Sequence, residues 1–369
     1  MRINIVFKKK NFSGFIVHNK NFINSLSSKK TNNFFFNEEL NRETINELNN
    51  CDIIFARHNI KKEISEHLKV PVVIQNERLY LPRYRNNYFS SSTSLDHLIK
   101  KKNVFFLTDK IFENESKRFF SYPHLWKFET EISDYYTNPK KKDIDILFVS
   151  GHSYFNNNYL IKDFVNQNLN YFGNILQSSK EFYFKEKNFF LQIFQKILGN
   201  SKYSFHYFYE KSFHSLRFKR KQKILKELLS LSNNYNIAYY GINSNDQTNL
   251  LCRGYLEADK TIEIFQRSKV VICTTPCHLN MINERIKLAL NTLTIPLVER
   301  YPQNIDLGIP ANFFFDYKND NLAYIIPLIL NNYNEVYSEY LKFLNDINYE
   351  KYSLKKFFLT IIDLNKTTN

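Results

Sequence analysis

The pattern of hydrophobic and polar positions predicts strands that alternate with helices in the first third of the chain. Four short apolar runs stand between polar segments: RINIVF (2–7), CDIIFAR (51–57), VPVVIQNE (70–77) and NVFFLTDK (103–110). Runs of this length, bounded by turn-forming residues, are typical of buried parallel strands. A charged segment with helical character separates the second run from the third. This alternation predicts a parallel, doubly wound sheet.

The second half of the chain shows the same alternation with a clearer period. Apolar runs predict strands over 144–149, 236–241, 270–276 and 294–300, then a loop and short strand over 306–317. Repeats of ~3.6 residues predict helices between and after them, over 257–269, 278–291 and 319–346. Strands and helices in this order form the βαβαβ unit of a doubly wound sheet.

The region between these two halves is rich in aromatic and basic residues. We predict long helices over 155–232, including KRKQKILKELLSL (219–231). We interpret the lysines and arginines of this last segment as the solvated face of a packed helix, with docking on an anionic membrane as the alternative.

Length and a change in composition predict two α/β domains. A chain of 369 residues exceeds the ~250–300 residues at which a single core stops growing. The polar stretch NPKKKD (138–143) interrupts the apolar pattern. We therefore predict one Rossmann-like domain over 1–140 and a second over 141–345. A C-terminal helix or tail over 346–369 is expected to pack back on the first domain.

The net charge of +15 and the pI near 9.3 favour an anionic partner: nucleic acid, an acidic membrane surface or a phosphorylated small molecule. Lysine, asparagine and phenylalanine are abundant along the whole chain, which favours a coding bias over a dedicated basic patch. Recognised helix-turn-helix, zinc-finger and RNP-like motifs are missing from the sequence, so we expect no nucleic-acid partner.

Four cysteines, widely spaced apart from the pair Cys273 and Cys277, suit a reducing compartment. The first residues contain too short an apolar core for a signal peptide, and no apolar run reaches the ~18 residues of a membrane span. We expect a cytoplasmic protein, and peripheral binding to the inner face of a membrane is left open.

Candidate binding groups follow the predicted strands of the second domain. Ligands of doubly wound sheets bind outside the carboxyl ends of the strands, where helix N-termini present free N–H groups. A diphosphate is expected at 274–284, where Glu284 would accept hydrogen bonds from sugar hydroxyls and Arg285 would offer a bidentate fork to phosphate. The candidate donor-binding residues are Gly151, Gly241, Thr274, Thr275, Pro276, Asn283, Glu284 and Arg285.

Each of these motifs also has a purely structural explanation. The Thr-Thr-Pro turn at 274–276 is an ordinary helix start, with Thr275 as its N-cap. Glu284 and Arg285 are equally typical of a solvated pair on a helix. Only the order of strand, Thr-Thr-Pro, spacer, Asn-Glu-Arg, apolar helix and strand favours a binding site.

In this order, residues 237–345 resemble the C-terminal domain of GT-B glycosyltransferases of the spore-maturation-protein-like group. The helix sequence NERIKLALN (283–291) and the run FFFDYKND (313–320) carry the resemblance. It implies two Rossmann-like domains with an interdomain cleft, Glu284 and Arg285 as the donor-contacting pair, and a phosphate-facing turn at Thr274 and Thr275. Two departures concern Leu288, where the family often has a carboxylate, and Leu293-Thr294, which replace a step of small residues and glycine.

The resemblance implies a metal-independent glycosyltransferase without a cofactor, which moves a sugar from a nucleotide-sugar to a surface glycan such as lipopolysaccharide or capsule, or to a protein. Asp143-Ile144-Asp145 stands at a strand beginning, where metal binding is not expected, and Cys273 and Cys277 do not form a zinc motif. A catalytically silent scaffold and a basic nucleic-acid-binding protein are the alternatives. The candidate catalytic groups, each after or at the end of a predicted strand, are His58, Asp109 and His152.

Overall fold

The computed structural model divides the chain into two compact units. The first comprises Met1–Tyr135, Glu257–Asp259 and Asn348–Asn369, and the second comprises Tyr136–Leu256 and Lys260–Ile347. The structure describes the following residues: 1–7, 34–36, 41–57, 60–75, 98, 101–109, 125–128, 140–150, 218, 220–241, 251–254, 256, 258–274, 284–300, 308–316, 320–347 and 354–368.

The first unit contains a six-stranded parallel sheet, sheet A, in the order β2-β1-β3-β4-β5-β6. Its strands are β1 (Ile3–Phe7), β2 (Phe34–Phe36), β3 (Ile53–Arg57), β4 (Val72–Gln75), β5 (Val104–Asp109) and β6 (Leu125–Phe128). Between these strands the structure describes the helices α1 (Arg42–Leu48) and α2 (Lys62–Ser65). Side chains of alternate strand residues enter two separate cores, so both faces of the sheet are covered, as a parallel sheet requires.

The last helix of the chain, which we number α8 (Leu354–Thr368), belongs to this first unit. Its Phe358 and Ile361 are fully buried in one core cluster with Ile3, Phe55 and Phe105. The rings of Phe55 and Phe358 lie 5.6 Å apart, centroid to centroid. The C-terminal segment is therefore part of the covering of sheet A.

The second unit contains a five-stranded parallel sheet, sheet B, in the order β11-β10-β9-β7-β8. Its strands are β7 (Ile144–Val149), β8 (Ile237–Tyr240), β9 (Ser268–Cys273), β10 (Ile295–Glu299) and β11 (Phe314–Phe315). The helices are α3 (220–231), α4 (Ala258–Gln266), α5 (Glu284–Asn291), α6 (Leu322–Asn331) and α7 (Tyr333–Asp346), with a 3-10 turn at Ala311–Phe313. In β7, Ile146 is in register with Ile237 of β8 on one side and Val270 of β9 on the other.

The two sheets have the same strand order when the strands of each are counted from its own first strand. In both, the second strand pairs with one side of the first strand, and the third strand pairs with its other side. This is a doubly wound topology, in which the chain reverses direction across the sheet between its first and third strands. The reversal falls between β1 and β3 in sheet A and between β7 and β9 in sheet B. The predicted α/β class with two parallel, Rossmann-like sheets is confirmed.

Helix α5 ends in a corner that normally favours glycine. The N–H of Thr294 donates to the carbonyl of Ala289 (2.9 Å) and that of Leu293 to Leu290 (3.4 Å), the pattern of a Schellman motif. Leu293 occupies the left-handed position with φ of 55°. The Lys142 ammonium donates to Leu293 O (2.9 Å) and Thr294 Oγ1 (3.2 Å), so the corner is tied to the residues before β7.

Several predicted boundaries are wrong. Strand β9 begins at Ser268, inside the predicted helix 257–269, and ends at Cys273. The helices predicted over 319–346 are two in number and meet at Asn332, as the prediction allowed. Strands β2 and β6 were not predicted, because three or four apolar residues alone do not distinguish a strand from a loop. No helix among the described residues has the length and apolar character needed to span a membrane.

Candidate functional site

The carboxyl edge of sheet B brings together residues that directly follow three adjacent strands, β9, β7 and β8. Ser150 follows β7, Gly241 follows β8 and Thr274 follows β9. The chain reverses direction between β7 and β9, and in doubly wound sheets such a reversal point is where ligands bind, outside the carboxyl ends of the strands. We refer to this place as the carboxyl edge of sheet B.

Gly241 is required there by close approach of its neighbours. A Cβ atom at this position would lie 2.8 Å from Ser150 Oγ and 2.9 Å from Ser150 O, and would also collide with the hydroxyl of Tyr239. The Gly241 N–H donates to Gly254 O at 2.9 Å. The strand end therefore has room only for backbone at position 241.

Tyr239 places a polar group at the same edge. Its side chain is fully buried, and its hydroxyl lies 3.1 Å from Ser150 Oγ. Burial raises the pKa of Tyr239 to about 12, while the hydrogen bond with Ser150 and the charge of Arg285 act in the opposite direction. The phenol is therefore protonated near neutral pH and can donate a hydrogen bond.

Arg285 lies in the first turn of α5, after Glu284, the residue at which the helix begins. Its positive charge opposes the rise in pKa that burial causes at both Tyr239 and Cys273. The guanidinium of Arg285 therefore lies near the ends of β8 and β9 and is partly exposed. A fork of N–H donors at the N-terminus of a helix suits a phosphate oxygen.

Two further cations, which sequence reasoning assigned to a solvated helix face, are buried at this edge. Arg220 retains 6 % and Lys221 4 % of their exposure, whereas Lys226 on the same helix is exposed. Arg220 forms an ion pair of 2.8 Å with Glu299, the last residue of β10, and Lys221 Nζ lies 5.4 Å from the ring centroid of Tyr239. The solvated-face interpretation is wrong for Arg220 and Lys221, because the first turn of α3 lies against the sheet.

The Asp143-Ile144-Asp145 pair lies at the opposite, amino edge of sheet B. Asp143 accepts two hydrogen bonds from Arg267, and Asp145 pairs with Lys269 at 2.7 Å. Both carboxylates are therefore committed to the strand beginnings. Among the described residues, no group of three or more His, Cys, Asp or Glu side chains is arranged to hold a metal ion.

The cysteine at the end of β9 is in its neutral form. Cys273 is buried, and burial raises the pKa of its thiol to about 12. A neutral buried thiol is neither a nucleophile nor a metal ligand at physiological pH. Cys277, the other member of the Cys-x3-Cys sequence, lies outside the described residues.

The structure brings together Gly241, Thr274 and Arg285 from the predicted donor-binding set, with Glu284 at the start of the same helix. Asp109 ends β5 at the carboxyl edge of sheet A. The remaining candidates lie outside the described residues: His58, Gly151, His152, Thr275, Pro276 and Asn283. Sequence reasoning missed Ser150, Tyr239, Arg220, Lys221 and Glu299; the adjacent cations at the start of α3 were the available signal.

The run 313–320, part of the resemblance, contains β11, and Asp316 and Asp320 are described after it. Its two aspartates are joined, since Asp320 Oδ2 accepts a hydrogen bond from the N–H of Asp316 (2.6 Å) and the Asp320 N–H donates to Asp316 O (2.9 Å). The spacing of these two carboxylates therefore has a structural explanation.

No protein-family model and no curated protein matches the sequence. Solved structures do match its fold. An α-glucosyltransferase in complex with UDP-glucose and DNA containing an abasic site has a TM-score of 0.53 at 11 % identity, with 98 % of this chain and 99 % of that chain covered. An α-glucosyltransferase in complex with UDP has a TM-score of 0.52 at 12 % identity, with 98 % of this chain and 99 % of that chain covered. The structural neighbours are GT-B glycosyltransferases, and the chain shares their fold.

Proposed function

We propose that this protein is a glycosyltransferase that takes a sugar from a UDP-sugar donor, with the diphosphate bound at the carboxyl edge of sheet B. The observation that carries the proposal is the arrangement at the reversal point of this sheet. Close backbone at Gly241 and the hydroxyls of Ser150 and Tyr239 lie there, and the charge of Arg285 acts on Tyr239. The full-length likeness to α-glucosyltransferases that bind UDP or UDP-glucose supports the choice of donor.

The chemistry requires that negative charge on the departing nucleoside diphosphate be stabilised. At this edge the stabilising groups are the N-terminal turn of α5, the Arg285 guanidinium and the buried cations of α3. We propose that transfer proceeds without a metal ion, because the paired carboxylates Asp143 and Asp145 are engaged with Arg267 and Lys269 at the amino edge. No cofactor is required in this proposal.

The acceptor is proposed to be a surface glycan, such as lipopolysaccharide or capsule, or a protein. His58, Asp109 and His152 stay candidates for the catalytic base, and Asp109 is the one whose backbone the structure places, at a strand end of sheet A. Association with the inner face of a membrane also stays a proposal. It would be tested by co-sedimentation with anionic and neutral vesicles.

DNA is a second candidate acceptor, although the sequence contains no nucleic-acid motif. One observation that favours testing it is the net charge of +15, which attracts a polyanion. The other is that structural neighbours are in complex with DNA. One of these is an α-glucosyltransferase with a 13-mer, with a TM-score of 0.52, 13 % identity and 99 % of both chains covered. A DNA acceptor predicts binding that weakens steeply as salt rises.

The test is a transfer assay with radiolabelled UDP-glucose, UDP-galactose and UDP-N-acetylglucosamine against glycan, protein and duplex DNA acceptors. UDP release that depends on one acceptor class supports the proposal and identifies the acceptor. Glu284→Ala should abolish turnover, while Glu335→Ala, an exposed glutamate of α7, should leave it unchanged. If the chain binds no nucleotide, it would instead be a silent scaffold. The same conclusion would follow if Glu284→Ala left both partner binding and UDP release unchanged.

A further inference from the structure

Helix α6 has an exposed apolar face. Its Ile326 and Ile329 are buried, whereas Tyr324 is 68 % and Leu328 48 % exposed. These two exposed residues are one helical turn apart and therefore lie on the same face. None of the ten residues of the helix carries a charge. An apolar surface with these properties is typical of an interaction site.

The other large exposed hydrophobic side chains in the described part of the chain belong to α8 and do not form such a face. Leu359 is 44 % and Leu364 39 % exposed. They are five residues apart, so they point about 140° away from each other around the helix. The exposed carboxylate of Asp363 stands directly before Leu364. The uncharged face formed by Tyr324 and Leu328 therefore differs from the exposed surface of α8.

Helix α3 and the turn after it lie beside α6 within the second unit. The N–H of Leu322 donates to Glu227 Oε2 at 2.8 Å, and the hydroxyl of Tyr235 donates to Asn331 Oδ1 at 3.3 Å. These contacts run from 227 to 235 in one segment and from 322 to 331 in the other. The two segments therefore lie side by side and run in the same direction.

Two lysines of α3 lie next to the first turn of α6. Lys223 pairs with Glu227 at 3.7 Å, and 36 % of the lysine side chain stays exposed. Lys226 is exposed as well. Residues three apart on a helix are surface neighbours, so both ammonium groups lie on one side of α3. Glu227 is only 16 % exposed and also accepts the N–H of Leu322, so the exposed charges of this group are positive.

An uncharged apolar face beside exposed lysines is complementary to an anionic lipid surface. Tyrosine suits the membrane–water interface because its ring is apolar and its hydroxyl is polar. A leucine one turn away can enter the boundary between headgroups and acyl chains. Each lysine near an anionic bilayer raises the association constant by about fivefold. A second copy on the same face would instead bring like charges together, which disfavours a symmetric dimer.

We propose that the apolar face of α6, with Lys223 and Lys226 of α3, docks the protein on an anionic lipid bilayer. Tyr324 and Leu328 enter the interfacial region, and the two lysines contact lipid headgroups. The inference assigns a surface and a lipid charge to the membrane association considered above. It does not depend on the nucleotide site, because all four side chains belong to α3 and α6.

The test is flotation of the full chain with vesicles of phosphatidylcholine alone or with about 30 % phosphatidylglycerol added. The wild type should bind the anionic vesicles and bind the neutral ones more weakly. Lys223→Gln combined with Lys226→Gln should weaken binding to the anionic vesicles by about 25-fold and leave binding to the neutral ones unchanged. Tyr324→Ser combined with Leu328→Ser should weaken binding to both by about tenfold or more.

Matched controls separate this surface from the rest of the protein. Leu359→Ser removes an apolar side chain of similar exposure on α8, and Lys342→Gln removes an exposed lysine of α7. Each should change vesicle binding less than twofold. Urea midpoints of all variants should stay close to that of the wild type, because the substituted side chains are exposed.

Equal vesicle binding by the wild type and both double variants would overturn the inference. So would a dimer that becomes monomeric in Tyr324→Ser with Leu328→Ser and binds no vesicles, since the face would then belong to a second copy. If that variant does not fold, the lysine pair still decides. Vesicle binding without UDP-sugar turnover would refute the proposed function alone, and turnover on a soluble acceptor without vesicle binding would refute this inference alone.

Discussion

The buried ion pair between Arg220 and Glu299 yields a quantitative prediction about the second unit. The two side chains are 7 % and 5 % exposed, and their charged atoms are 2.8 Å apart. Removing one member leaves the other buried charge without this partner, and breaking a buried ion pair in this way typically costs about 3–5 kcal/mol. Replacing both members with apolar side chains of similar volume removes the cost of burying two charges, so the double variant is expected to be about as stable as the wild type.

The assay is a double-mutant cycle with Arg220→Met, Glu299→Met and the combined variant, each unfolded in urea and followed by far-UV circular dichroism. Each single variant should lose about 3–5 kcal/mol, and the combined variant should recover most of it, which gives a coupling energy of several kcal/mol. Trp126, the one tryptophan of the chain, lies in β6 of sheet A, so its fluorescence reports on the first unit and serves as a control.

Additive losses in the combined variant would refute this reasoning. They would show that Arg220 and Glu299 stabilise the protein through separate contacts and that the pair does not fasten α3 to β10. The cycle also separates stability from binding, because a combined variant that folds normally can be titrated with UDP.

Three other changes have defined outcomes. Gly241→Ala should lower the free energy of unfolding by about 1–3 kcal/mol and weaken UDP binding, because the added Cβ meets the backbone oxygen of Ser150 at 2.9 Å; unchanged urea midpoint and affinity would contradict this. Leu293→Gly should be about 1 kcal/mol more stable than Leu293→Ala in the same assay, because φ of 55° disfavours any side chain; an alanine variant of equal stability would contradict it. Burial lowers the pKa of Lys142 from 10.5 to about 7, so between these pH values the folded state binds fewer protons than the unfolded state. The free energy of unfolding of the wild type should therefore rise with pH across this window, relative to Lys142→Met, by at most about 1.4 kcal/mol per pH unit. Parallel pH profiles of the two proteins in urea unfolding would refute that assignment.

The doubly wound fold was predictable because its central strands are continuous apolar runs. Residues 144–149 form β7 with the predicted bounds, and residues 53–57 form β3 inside the predicted run. Two parallel sheets follow from such runs alternating with helices. Strand β2, with its three phenylalanines, lies in an aromatic-rich chain where a short apolar run carries little information.

The candidate site was predictable where it depends on topology and not where it depends on long-range contacts. Gly241 and Thr274 were identified because each directly follows a strand of the sheet. The burial of Lys221 was missed, because a basic run on an amphipathic helix is typical of a solvated face, and only the packing of α3 against Tyr239 reverses this. The Arg220–Glu299 pair joins residues 79 positions apart, a separation that no local pattern records.

At the corner after α5 the sequence departs from the family pattern, but the backbone keeps the left-handed turn. The resemblance implies small residues and glycine where this chain has Leu293 and Thr294. The structure retains the left-handed turn at Leu293 and supports it with hydrogen bonds from Lys142. The departure therefore alters local strain at the end of the helix and leaves the path of the chain into β10 intact.

The central claim, that the carboxyl edge of sheet B binds a nucleoside diphosphate, is tested most directly by calorimetric titration of UDP into the wild type, Arg285→Met and Arg267→Met. Arg267 lies at the amino edge of the same sheet, paired with Asp143, and is the matched control. The account predicts that Arg285→Met weakens UDP binding by about tenfold or more, the loss of a charge-assisted hydrogen bond, while Arg267→Met stays within about twofold of the wild type. Equal affinities for all three proteins, or no UDP binding by the wild type, would contradict it.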